Sequence, residues 1–231
     1  MRSRGARAQW GQSFLRVIAA SLVVGLATPM QASAAALIVR VIDQNGKPVR
    51  DAVVVAVPAK GAPGLSKAHE EIIDQINKEF VPYVKVVQVG SMVRFPNKDN
   101  IRHHVYSFSP AKTFELPLYS GSPADPVLFD RPGVVVLGCN IHDWMIAYVY
   151  VSESPYFAQT GDDGVARLPE LPREDFRARV WHPDLVGTEA ATTRVVTAAE
   201  ENANEVHDWT VTLKPSIRVR RPTSESGRNY Q

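Results

Sequence analysis

Apolar and polar residues alternate with period two in many short runs along this 231-residue chain. Residues 37–42 (LIVRVI) form one run and residues 49–57 the next. Between them, Asp43-Gln44-Asn45-Gly46-Lys47-Pro48 has turn composition, and Gly46 can take positive φ. The pair predicts a hairpin. Residues 58–64 read as a Pro/Gly linker. From Ser66 to Phe80 the period changes. Ser66 can cap, Glu70 and Glu71 sit early, and Ile72, Ile73, Ile76 and Phe80 fall near one face, which predicts the one short helix of the chain. Strand runs return at 84–89, 92–95, 103–108, 134–137 and 146–151. A turn at Asn97-Lys98-Asp99-Asn100 precedes the third. Residues 110–126, rich in Pro, Gly and Ser, predict loop for the most part. Turn-flanked runs at 159–168, 176–181 and 208–213 complete the chain. Short strands at this spacing predict an all-β protein built from antiparallel sandwiches.

The N-terminus follows different rules. Arg2, Arg4, Arg7 and Arg16 precede an uncharged run at 17–27, and Ala32-Ser33-Ala34 follows it. A basic start, a short apolar run and small residues at the last and third-last positions predict a secretory signal over 1–34, with a mature start near Ala35. An uncleaved anchor is the alternative, but the strongly apolar part is about half the ~20 residues that span a bilayer. Those four arginines belong to the 26 basic residues, and none of the 24 acidic ones precedes Asp43. The remainder carries 22 basic against 24 acidic residues, a net of −2, so no basic stripe suggests nucleic acid. No later stretch is long enough to span a membrane. The tail at 216–231 is basic and polar and reads as disordered.

Candidate chemistry concentrates in Gly138-Cys139-Asn140-Ile141-His142-Asp143-Trp144-Met145. Cys139 is the single cysteine, which excludes an intrachain disulfide and zinc held by two or more cysteines. The motif C-x2-H-x2-M places a thiolate, an imidazole and a thioether on one loop between two strand runs. Soft and borderline donors together suit copper in both oxidation states. A second imidazole must come from His103 or His104, at the start of an upstream strand. Singly, a cysteine or a methionine is more often packing than a ligand. The other histidines, His69, His182 and His207, are scattered. No nucleophile elbow or phosphate-binding glycine loop is present, so no enzymatic activity is expected.

Residues 80–152 resemble the cupredoxins, the blue copper proteins, and within them the plastocyanin and amicyanin group. The resemblance is carried by Val89-Gly90-Ser91-Met92-Val93-Arg94-Phe95, His103-His104-Val105, Phe129-Asp130-Arg131-Pro132-Gly133 and the Cys139 loop. The whole chain is similar to the periplasmic proteins labelled methylamine utilization proteins. The resemblance implies a mononuclear type 1 copper site held by His103, Cys139, His142 and axial Met145. His103 stands where the family has its first ligand, and strand alternation turns the next residue away. His104 departs from the family's Asn. The implied function is a periplasmic one-electron carrier, Cu(I)/Cu(II), with a transient redox partner such as a cytochrome or a periplasmic dehydrogenase. Copper storage or delivery, or a non-metal interaction module, are the alternatives.

The flanks resemble one carboxypeptidase-regulatory-like (transthyretin-like) module in two pieces. Residues 39–57 match its first hairpin and residues 159–213 its continuation. The expected organisation is therefore a cupredoxin domain at 61–152 inserted into a discontinuous β-sandwich formed by 35–60 and 153–215. Such insertion is tolerated where chain ends lie close together. Two separate sandwiches are the other arrangement.

Overall fold

A computed structural model describes residues 35–61, 64, 69–123, 125–199, 204–216 and 218. The expected signal at 1–34 lies outside them, as does the expected tail except Ser216 and Arg218. In chain order the strands are β1 (Ala35–Ile42), β2 (Val53–Pro58), β3 (Glu70–Ile72), β4 (Asp74–Ile76), β5 (Glu79–Val81) and β6 (Val84–Gln88). Then come β7 (Ser91–Arg94), β8 (His103–Ser109), β9 (Lys112–Tyr119), β10 (Val127–Phe129), β11 (Gly133–Gly138) and β12 (Ile146–Ser152). β13 (Tyr156–Gln159), β14 (Val165–Leu171), β15 (Asp175–Trp181), a 3-10 turn at Glu189–Thr192, β16 (Arg194–Thr197) and β17 (Val206–Thr210) complete the order. The fold is all-β, as expected, and is built from stacked sheets. Among the described residues no helix is long and apolar enough to cross a membrane.

Two apolar cores follow from strand alternation. A three-stranded sheet, β10-β7-β3, faces a five-stranded sheet, β6-β12-β11-β8-β9. Val93, Phe129, Val135, Leu137, Val149 and Val151 fill the space between them. A second pair of sheets, β14-β1-β17 and β13-β2-β15-β16, encloses Leu37, Val39, Val54, Leu168, Phe176 and Trp209. The residues of this core come from both sides of the 73–151 segment that supplies the first.

A third apolar layer joins the two pairs. Val53 and Val55, on the second face of β2, pack with Val84 and Tyr150, and with Val86, Tyr148, Phe157 and Trp181. β2 is therefore buried on both faces, which explains a continuous Val53-Val54-Val55-Ala56 run in place of alternation. A fully buried valine contributes about 1.5–3 kcal/mol relative to exposure, so this layer outweighs exposed ion pairs such as Arg40–Asp208. Arg179 of β15 adds polar specificity at the junction, with Glu153 and Glu189 each at 2.5 Å, while Tyr150 donates to Glu189.

Four expectations are corrected. The predicted helix over 66–80 is absent from its described part, which forms β3, β4 and β5. Its buried side chains are Ile73, Gln75 and Phe80, while Ile72 is half exposed, so the supposed apolar face does not exist. Long-range pairing decides instead: β3 runs parallel to β7, and β4 and β5 close on Asn77 and Lys78, both at positive φ. The predicted hairpin of the first two strands also fails. Beyond the Ile42–Pro48 bridge, β1 and β2 part into different sheets and face each other across the core. The predicted loop at 110–126 contains β9, an edge strand paired antiparallel to β8. Pro117 within it is compatible with an edge. Three of the sheets are mixed rather than antiparallel, because β6–β12, β3–β7 and β1–β17 are parallel pairs.

His182 follows β15, and its Nδ1 accepts the backbone N–H of Asp184 at 3.0 Å. Burial holds its pKa below the ordinary 6.5. The unfolded chain therefore takes up this proton first as pH falls, and the stability tied to the neutral ring is lost from pH 6.5 downward through the depressed folded value. His182→Asn keeps an acceptor but cannot titrate. Its urea midpoint should fall less steeply than that of the wild type between pH 7 and pH 5.

Candidate metal centre

β8 begins at His103, and its inward side chains are His103, Val105 and Ser107. His103 is fully buried. His104 points to the opposite face, where its ring packs against Tyr106 and its Nε2 lies 3.0 Å from a Glu115 carboxylate oxygen. A strand cannot present both imidazoles to one point. On β11 the inward positions are Val135 and Leu137, and Cys139 continues that alternation one residue past the strand.

The loop after Cys139 is short and closed. Gly138 pairs with Ile146 across β11 and β12, so Cys139 and Met145 spring from adjacent positions. Within it the Met145 N–H reaches the His142 carbonyl at 2.9 Å, and the Ile146 N–H reaches that of Trp144 at 3.0 Å. Met145 folds back into the core beside Cys139, both nearly fully buried. Gly138 also pairs with Tyr106 of β8. A Cβ at Gly138 would lie 2.7 Å from the Tyr106 ring, so the missing side chain lets the two strands close beside the thiol.

These elements bring three donor atoms together. The Cys139 Sγ lies 3.9 Å from Nδ1 of His103 and 3.8 Å from Nδ1 of His142. All three atoms lie within 4.8 Å of one another. The two imidazole rings are 5.1 Å apart, and His142 is also 5.1 Å from the Trp144 ring. His142 is partly buried and Trp144 is 39% exposed, so this side of the cluster reaches the surface. A thiol, two imidazoles and a neighbouring thioether form a donor set that fits a soft or borderline ion such as copper.

The His103 ring is fixed from behind. A carboxylate only accepts hydrogen bonds, so the 2.7 Å contact makes Nε2–H of His103 the donor to Asp99 Oδ2. That tautomer leaves the Nδ1 lone pair directed at Cys139. Asp99 is itself held: its carboxylate accepts the backbone N–H groups of Asn77 at 2.6 Å and Lys78 at 2.8 Å. Burial, the largest influence, would raise its pKa. The Lys78 N–H, the His103 ring and the Asn77 N–H outweigh it, and the carboxyl sits below its ordinary 3.8. Asn97 braces the same turn, donating to the Ile101 and Tyr119 carbonyls at 2.8 and 2.9 Å. Tyr119, the β9 partner of His103, donates to the Phe95 carbonyl at 2.5 Å, and burial pushes its phenol up to about 12.

Sequence reasoning treated Asn97-Lys98-Asp99-Asn100 as a turn alone and missed Asp99 as the support of His103. A signal was available, since an acid four residues before a strand-initial histidine can reach its ring. The Asn77-Lys78 turn that holds Asp99 lay hidden inside the predicted helix.

No protein-family model matches the sequence, and neither does any curated protein. Among solved structures, the chain is similar to a purple cupredoxin from Nitrosopumilus maritimus, at 22% identity and a TM-score of 0.32 over 37% of this chain and 100% of that one. A variant amicyanin in the Cu(I) state aligns at 18% identity and a TM-score of 0.33, over 42% of this chain and 98% of its own. A copper-containing nitrite reductase from Thermus scotoductus aligns at 22% identity and 0.34, covering 48% of this chain and 28% of that one. These structural neighbours are cupredoxins or contain such a domain.

Replacing Asp99 with Asn puts an amide N–H₂ where two backbone donors and a ring N–H converge. Hydrogen bonds to a charged group contribute about 1.5–3 kcal/mol each. Asp99→Asn should lower the unfolding free energy by about 1–3 kcal/mol in urea titration of the metal-free protein. Lys98→Gln, one residue away, removes a single ion pair to Asp74 from a half-exposed lysine side chain and should change it less.

Proposed function

We propose that this chain is a type 1 copper protein that carries single electrons outside the cytoplasm. The supporting observation is the convergence of the Cys139 thiol with Nδ1 of His103 and His142, next to buried Met145. Copper held by these residues would supply a one-electron couple, with Cys139, His103 and His142 as strong donors and the Met145 thioether as a weak one.

The surrounding residues do the positioning. Asp99 fixes the His103 ring and its tautomer. The paired strands on either side of the loop keep Cys139 and Met145 from separating. Buried Val105, Leu137 and Ala147 share the core with Cys139 and exclude water from its inner side. Donors held by paired strands and by the Asp99 contact would have little to rearrange between oxidation states, which favours fast electron transfer. No catalytic residue is proposed, and the protein is not assigned an enzymatic activity.

His142 is the route to the surface. Ile141 and Trp144, 46% and 39% exposed, flank it and form an apolar rim suited to a brief encounter with a redox protein. Small, transient contacts of this kind bury less than about 1,200 Å². The reading includes export to the periplasm through the signal at 1–34. It also includes insertion of the 61–152 domain into a transthyretin-like flank, whose pieces share the core of Leu37, Phe176 and Trp209.

Adding Cu(II) to the metal-free full chain should produce one equivalent of an intense thiolate charge-transfer band with a reversible potential. His103→Ala and Cys139→Ser should abolish the band, whereas His104→Ala should keep it. Met145→Leu should stay coloured, with a higher potential, because Cu(II) loses a donor that Cu(I) needs less. Tight Cu(I) binding with no Cu(II) colour in the wild type would replace the carrier reading with copper delivery.

A further inference from the structure

A cavity of about 320 Å³ opens beside the Cys139 loop. Four aromatic side chains, Phe80, Tyr83, Trp144 and Tyr148, line it together with Met145 and Ile146. They come from β5, the connection before β6, the loop itself and β12. Phe80 is 2% exposed and forms a fixed floor, while Trp144 is exposed at the mouth. Tyr83 and Tyr148 meet edge to face, with centroids 5.5 Å apart at 83°. Burial raises the pKa of both phenols, and both are neutral at ordinary pH.

Three charged groups also line it: Glu79, Asp143 and Arg218. The guanidinium is already engaged. It lies 4.0 Å above the Tyr83 ring and 3.4 Å from Asp51 outside this cavity. Two carboxylates against one guanidinium leave the lining net negative. They accept hydrogen bonds and repel anions.

We propose that this cavity binds a neutral planar aromatic molecule bearing a hydroxyl group, of the phenol or naphthol class. The walls suit a flat π-system by stacking and edge contacts. Its O–H would donate to Glu79 or Asp143. The size fits as well, since a cavity of about 150 Å³ holds benzene and this one is about twice that, enough for two fused rings. Apolar walls with few polar groups at this volume are the ordinary make-up of small-molecule sites. Trp144 and Met145 belong to both the cavity and the loop, so an occupant would press on the copper site proposed above. That coupling rests on the copper reading, but the binding does not.

The test uses metal-free full-length protein and calorimetric titration with 2-naphthol and with 2-naphthoate. We expect saturable one-to-one binding of 2-naphthol, with 2-naphthoate at least tenfold weaker. Glu79→Gln with Asp143→Asn should narrow that difference several-fold. Ile146→Trp, which fills the cavity from its own wall, should weaken 2-naphthol binding at least tenfold. Should that variant unfold, the Trp144 indole N–H resonance of the wild type gives the same answer, because it should shift and saturate with 2-naphthol. Absence of saturable binding, equal affinity for 2-naphthoate, or an unmoved Trp144 resonance would overturn the proposal. Each result is obtained without copper, so a failure here is separable from a failure of the carrier reading.

Discussion

Strand β12 is enclosed on both faces, and the arrangement of the site depends on that enclosure. Ala147, Val149 and Val151 enter the core shared with Cys139, while Tyr148 and Tyr150 enter the layer that joins the second pair of sheets. A strand packed on both sides cannot shift register without exposing one apolar set and burying the wrong one. Its first residue, Ile146, is paired to Gly138, and this fixes the two ends of the Cys139 loop. The flanking sheets therefore help hold the position of the donor loop.

The second constraint is the carboxylate of Asp99. Without it, His103 could present either ring nitrogen toward Cys139. With Nε2–H committed to Asp99, Nδ1 is the free donor, and the backbone N–H groups of Asn77 and Lys78 keep the carboxylate in place and charged. The chain of support runs from a turn at positive φ, through a carboxylate, to an imidazole and then to the thiol. The three contacts to the Asp99 carboxylate are short, at 2.6–2.8 Å, and they orient a fully buried ring whose Nδ1 lies 3.9 Å from the thiol. A site arranged in this way resists rearrangement, and that resistance is what the proposed one-electron role requires.

Much of this organisation was legible in the sequence because burial on one face leaves a period-two signal. The strands around His103, Cys139 and residues 146–151 were readable for that reason, and alternation required that only one of His103 and His104 face the Cys139 loop. What escaped was decided by contacts distant in sequence. Ile72, Ile73, Ile76 and Phe80 mimic a helical face, yet pairing with β7 and the left-handed Asn77-Lys78 turn override it. β1 and β2 look like a hairpin because turn composition reports a reversal of direction but not whether the strands stay hydrogen-bonded. Residues 112–119 were obscured by prolines and serines on either side, and an edge strand with one exposed face carries a weak pattern. Asp99 was legible only through its spacing of four residues before His103, because the Asn77-Lys78 turn that holds it lay inside the predicted helix.

The central claim is that His103, Cys139 and His142 form one rigid set of donors for a copper ion in both oxidation states. X-ray absorption at the copper edge tests it most directly, recorded on full-length protein loaded with one equivalent and then reduced. The account predicts one short sulfur bond and two nitrogen bonds in the oxidised sample, and the same three ligands in the reduced one. A shell without sulfur, or one that gains or loses a nitrogen between the two states, would contradict it.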